Sequence, residues 1–246
     1  MDSNEKILGL SFFTGKKEGV LLLLEKGGLL TAPAAPALVD LGKDTDYTAA
    51  LQESDIVITD SGLMVLLWFL ATGKLLQKLS GLKLLKLLLT QENIKKADSS
   101  FWIKPSKEAQ EKTQAYLNNC GFSLGKQNFY VAPMYSNGSI EDPKLIKLLN
   151  EKRPPYVFIN IGGGKQEVLG LHLKKHLDYS PAIICTGAAI AFLTGEQAHI
   201  PLWADKLSLG WFFRCLSKPF IFGKRYIKAL KLIPLLFHYK ERLPLP

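Results

Sequence analysis

The chain has 246 residues, of which 47% are hydrophobic, 22% charged and 10% aromatic, proportions that exclude a disordered tail, a collagen and a disulfide scaffold. Its three cysteines, Cys120, Cys185 and Cys215, show no CxxC or CxH spacing, so neither a bridge framework nor a zinc site is readable and they are expected as small apolar residues. The net charge of +9 at pH 7 is concentrated late in the chain, where Arg214, Lys218, Lys224, Arg225, Lys228, Lys231, Lys240 and Arg242 face a single acid, Glu241.

The start, MDSNEKILGLSFF, has acids where a secretory signal needs bases and no apolar core of the right length, which predicts a cytosolic protein. Short runs rich in Val, Ile and Phe then alternate with longer patterned segments, the signature of βαβ units. The predicted strands are ILGLSFF from Ile7, GLLTAP from Gly28, DIVITD ending at Asp60, SFWIK from Ser100, NFYVAP ending at Pro133, YVFINI ending at Ile161 and AIICT ending at Thr186. GLMVLLWFLATG, from Gly62 to Gly73, is far short of the ~20 apolar residues that cross a bilayer and is predicted as a buried helix. PSKEAQEKTQAYLNNCGF reads as a helix closed by a glycine cap at Gly121, DPKLIKLLNEKR as one opened by Asp142 and Pro143, and KQEVLGLHLKKHL as one beginning at Lys165.

These elements predict an α/β fold, Rossmann-like, with a mostly parallel sheet and helices on both faces, over residues 1–198. Residues 199–246 read as a C-terminal amphipathic helical segment. Apolar residues at helical spacing surround Leu207, Trp211 and Cys215, Pro219 interrupts, and a basic, aromatic helix follows from about Phe220. A basic helix with Trp, Phe and Leu on one face suits an anionic membrane surface; a helix packed on the core with a solvated basic edge is the other reading.

In open parallel sheets ligands bind beyond the carboxyl ends of the strands, and three such positions carry suitable groups. Asp60 closes DIVITD on a tight turn, either as a carboxylate at the mouth of the crevice or as the cap of a helix starting near Leu63. In IGGGKQE, Gly162, Gly163 and Gly164 follow a strand and open a helix, either as a cradle whose backbone N–H groups donate to phosphate oxygens or as a plain strand-to-helix turn. Neither GxGxxG nor GxxxxGK[ST] spacing is present, which disfavours dinucleotide and P-loop sites. In CTGAAIAFLTGE, Thr186 and Gly187 make a second small-residue turn that either lets a ligand approach the backbone or lets helix and sheet pack tightly. Asp44-Thr45-Asp46 reads as the polar end of a helix, and His172, His176, His199 and His238 lack partners at ligand spacing, so no metal is expected. Nucleic-acid binding lacks the aromatic platforms such modules show.

Taken in order, strand-Asp60, strand-GGGKQE, strand-TGAAIAFLTG and the tryptophan-bearing basic tail resemble the WecG/TagA/CpsF glycosyltransferases, glycosyltransferase family twenty-six. The most specific stretch runs from YVFINIGGGKQE through CTGAAIAFLTGEQAHIPLWADKLSLGWFFRCLSKP. The resemblance implies transfer of an N-acetylhexosamine-type sugar from a UDP donor to a lipid-diphosphate-linked acceptor, with inversion and with no metal or other cofactor. It implies Asp60 as general base, and Gln166, Thr31, Gly162, Gly163, Gly164, Thr186 and Gly187 as donor contacts. Arg214, Lys224 and Arg225 are expected to meet the acceptor diphosphate or the membrane, and a homo-oligomer is left open. The family's Thr-x-Asn appears as Thr31-Ala32-Pro33, with the threonine kept and the asparagine replaced, and its Asp-Gly as Asp60-Ser61-Gly62. The competing expectation is a nucleotide-sugar-binding or scaffold protein on the same fold.

Overall fold

The computed structural model describes residues 4–136, 138–196 and 219–245. Among them, strands β1 (Asn4–Ile7), β2 (Leu10–Phe13), β3 (Gly28–Thr31), β4 (Ile56–Ile58), β5 (Ser100–Lys104), β6 (Phe129–Val131), β7 (Tyr156–Ile159) and β8 (Ala182–Cys185) form one sheet in the order β1-β2-β4-β3-β8-β7-β5-β6. Every pairing is parallel except β1 with β2. The central strands β5, β7 and β8 are buried on both sides, which explains their nearly continuous apolar runs. The seam between β3 and β8, with Thr31 opposite Cys185, joins a half built from β1–β4 to a half built from β5–β8.

The helices are α1 (Lys17–Leu24), α2 (Ala35–Leu38), α3 (Thr45–Gln52), α4 (Gly62–Thr72), α5 (Gly81–Leu88), α6 (Glu92–Lys95), α7 (Lys107–Asn119), α8 (Pro143–Lys152), α9 (Lys165–His176), α10 (Ala189–Leu193), α11 (Pro219–Leu230) and α12 (Leu232–Tyr239). One sheet face buries Leu30, Trp102, Phe158 and Ile184 under α5, α7 and α10, with Trp102 and Phe158 stacked at 4.0 Å. The other buries Leu29, Ile103, Ile159 and Cys185 under α8 and α9, and Phe12, Val57 and Trp68 with α2, α4 and α12. Gly170 lets α9 lie flat on the seam, because a Cβ there would stand 2.7 Å from Leu29 Cδ1 and 3.1 Å from Cys185 Sγ. Asp142 caps α8 through the Leu145 N–H, and Asp44 caps α3 through the Tyr47 N–H. Gly121, at φ +88, follows the end of α7.

Three local expectations are corrected. ILGLSFF is not one strand but the second part of a hairpin. Leu8 and Gly9 take positive φ, and their N–H groups donate to the carbonyls of Lys240 and Glu241, so the end of the chain holds the turn in place. GLMVLLWFLATG buries Met64, Leu67 and Trp68 but exposes Leu66, Phe69 and Leu70, because it lies at the margin of the core with one face against α12. Its cap is Ser61, whose hydroxyl accepts the Met64 N–H, and not Asp60.

In the C-terminal segment, Ala229, Leu232 and Leu236 are fully buried in the core that holds Trp68. Ile227, Leu230, Ile233 and Phe237 are exposed. The helix expected around Trp211, with Arg214, Cys215, Lys218 and His199, lies outside the described residues. No helix among the described residues is long and apolar enough to cross a membrane.

Candidate active site

The carboxyl ends of β4, β3, β8 and β7 stand side by side, which brings Asp60, Thr31, Thr186-Gly187 and Gly162–Gly164 to one edge of the sheet. Asp60 follows β4 and is half-buried. Beside it, the Thr59 hydroxyl donates to the Gln77 carbonyl and accepts the Leu79 N–H, which folds the 74–80 segment back over the strand end. Ser80 then caps α5, and the first N–H of that helix, on Gly81, donates to Asp60 Oδ1 at 2.8 Å. The N-terminus of α5 thereby orients the Asp60 carboxylate. Glycine at 81 suits a close approach, since a Cβ there would stand 3.1 Å from the Thr186 carbonyl oxygen. That close approach ties Asp60 to the turn after β8.

The glycine turn after β7 is open. Gly162 and Gly163 are exposed, and a Cβ added at Gly162, Gly163 or Gly164 would meet nothing within 4 Å. Gly162 and Gly164 take φ of +106 and +92, which L side chains avoid. The Gly164 N–H is committed to Glu167 Oε2 at 2.7 Å, so the turn offers the N–H groups of Gly163 and Lys165 at the start of α9. The Lys165 ammonium is tied to the Ser136 carbonyl, closing the loop after β6 over this side.

Gln166 is 1% exposed. Its Nε2 donates to Glu167 Oε1 at 2.8 Å, and its Oε1 accepts the Gly187 N–H at 3.1 Å. It therefore clamps the two turns together from below. Burial raises the Glu167 carboxyl above its ordinary range, and burial likewise pushes up the Tyr47 hydroxyl and the Cys185 thiol, each with Glu167 nearby. Thr31 is buried on the same sheet face as Cys185, its hydroxyl donating to Ser54 Oγ at 3.1 Å. Lys224 and Arg225 are exposed on α11; Arg214 lies outside the described residues.

The sequence reading named Thr186 but missed the two polar side chains in line with it at the same edge, Lys104 and Asn160. Lys104, Asn160 and Thr186 each stand one residue beyond the in-register set Ile103, Ile159 and Cys185. Asn160 is 7% exposed and its Oδ1 has no partner; Thr186 is 5% exposed and its Oγ1 has none either. Polar residues at the ends of YVFIN and SFWIK were the available signal. Among the described residues, no three His, Cys, Asp or Glu side chains gather as metal ligands. A second hollow of about 430 Å³ lies at the amino edge of the sheet, beside Gly28. Its Asp55 is already engaged by the Leu29 N–H and Lys174.

Comparison with known proteins places this geometry. The chain matches the Glycosyl transferase WecG/TagA/CpsF family over residues 6–244. It is similar to the N-acetylglucosaminyldiphosphoundecaprenol N-acetyl-beta-D-mannosaminyltransferase of Bacillus subtilis (strain 168), with 27% identity over 178 residues, 72% of this chain and 66% of that relative. The matched stretch thus falls just short of two thirds of the relative's length. Because the family match runs through both halves of the sheet and on to the C-terminal helices, the chain belongs to the WecG/TagA/CpsF family of glycosyl transferases.

Proposed function

We propose that the protein is a glycosyltransferase that moves an N-acetylhexosamine, N-acetylmannosamine by likeness to its relative, from a UDP-sugar to N-acetylglucosamine on a lipid diphosphate. The observation that carries this reading is the convergence of an oriented carboxylate, Asp60, with two backbone turns at the carboxyl edge of one parallel sheet. Asp60 takes the proton of the acceptor hydroxyl while that oxygen attacks the sugar's anomeric carbon from the face opposite the diphosphate, inverting it. The bond from that carbon to the departing phosphate oxygen breaks, and UDP leaves with its charge met by N–H groups at the start of α9.

A lipid-linked acceptor stays in its bilayer, so the crevice comes to the membrane. Exposed Ile227, Leu230, Ile233 and Phe237, flanked by Lys224, Arg225 and Lys231, supply an apolar face and a positive rim for an anionic surface. The reaction needs no metal in this reading, and turnover in excess EDTA tests that part. The decisive assay is release of UDP from UDP-N-acetylmannosamine with and without a lipid-diphosphate N-acetylglucosamine acceptor. Acceptor-dependent release is expected. Donor binding without release would leave a nucleotide-sugar-binding scaffold, the reading that the engagement of Thr31 with Ser54 favours.

A further inference from the structure

Lys104 ends β5 and is 2% exposed, yet its ammonium has no hydrogen bond or ion pair among the described residues. A buried charge is retained only where something compensates it. Burial pulls this lysine down to about 8, opposed by the negative charge of Glu196, whose carboxylate also accepts the Thr194 hydroxyl. Other charges on the covering elements are distant in character: Lys107, Glu108, Glu111 and Lys112 on α7 and Lys83 and Lys86 on α5 are all exposed.

Register places Lys104 beside Asn160, and Asn160 beside Thr186, on the sheet face that carries Trp102, Phe158 and Ile184. Neighbouring strands lie about 4.8 Å apart, so the row spans roughly 10 Å. Asn160 Nδ2 points at the Gly187 carbonyl at 3.5 Å, which fixes its amide orientation and leaves Oδ1 as the unmatched acceptor. The row thus presents a cation, an acceptor and a hydroxyl, each buried, next to the turn that Gly81 links to Asp60.

We propose that Lys104, Asn160 and Thr186 form a diphosphate subsite. Lys104 Nζ pairs with a phosphate oxygen, Thr186 Oγ1 donates to another, and Asn160 Oδ1 accepts from a hydroxyl of the attached sugar or ribose. The inference rests on the transferase reading above, which supplies two diphosphates, one on the donor and one on the lipid-linked acceptor.

Calorimetric titration of the full chain with UDP, and with geranyl diphosphate standing in for the lipid diphosphate, tests the subsite. Lys104→Met keeps the apolar stem and should weaken one of the two ligands about ten- to hundred-fold at pH 7, with Lys104→Arg restoring most of it; the affected ligand identifies the source. Wild-type affinity for that ligand should fall between pH 7 and pH 9.5 as the ammonium loses its proton. At pH 8 binding should take up a proton, seen as heat that varies with the buffer, and Lys104→Met should lose both effects. Unchanged affinities in a folded Lys104→Met protein, or a flat wild-type profile over that pH range, would overturn the subsite while leaving a protein that binds and turns over UDP-sugar intact. Failure of the wild type to bind either ligand would overturn the subsite and the transferase reading together.

Discussion

Asp60 Oδ1 accepts the Gly81 N–H, and that contact decides how the residue should be probed. An asparagine keeps an oxygen to accept the same N–H, so Asp60→Asn should retain its melting temperature and its affinity for UDP. Turnover should fall by roughly 10² to 10⁴, the usual contribution of a positioned base; activity within a few-fold of wild type would remove Asp60 from that role. Lys104 makes a different prediction, about stability. Its folded pKa of about 8 lies below the ordinary 10.5, so between these values the unfolded chain holds the extra proton and stability rises with pH. The gain is of order 3 kcal/mol at most. It should appear as the difference between wild type and Lys104→Met in urea unfolding at pH 7.5 and pH 10, since the buried tyrosines titrate in both.

At the level of elements, the glycine turn and the last helix separate ligand binding from folding. Gly163 has open space and ordinary φ, so Gly163→Val should fold normally and lose UDP affinity by obstructing the approach of phosphate. Gly164, at φ +92, should instead lose about 1–3 kcal/mol of stability on the same substitution. Leu236, fully buried on α12, should cost about 2–5 kcal/mol as Leu236→Ala, measured by equilibrium denaturation. The strands over Ile56–Ile58, Tyr156–Ile159 and Ala182–Cys185 were legible because β-branched runs between turn residues have few other uses. Asp142 and the glycine turn were legible for the same local reason. The Leu8-Gly9 turn was not, since a leucine at positive φ is imposed by contacts with residues more than two hundred positions away. Lys104 was also hidden: a lysine ending a strand looks solvated until the covering helices are in place. The one-sided exposure of α4 escaped for lack of contrast, its sequence being apolar all round.

For the whole molecule, α12 packs against both α4 and α11, so in the proposed membrane attachment the exposed apolar residues of α11 and α12 act from the assembled first half rather than from a detachable tail. Deleting the last helices would open the core around Trp68, and surface substitutions are the cleaner probe. Ile227→Asp with Leu230→Asp should leave the melting temperature within a few degrees and reduce sedimentation with anionic vesicles. Attachment of the wild type should weaken between 0.1 M and 1 M salt, as the Debye length shrinks from about 10 Å to 3 Å; equal pelleting of variant and wild type would place the contact elsewhere. The burial of Leu232 and Leu236 against α4 also has a meaning in time. A ribosome adding 5–20 residues per second reaches Leu232 roughly ten to thirty seconds after Trp68. Through that interval the nascent first half carries an unsealed apolar flank, so this protein cannot mature in the order in which it is made: the half that begins the chain is completed last.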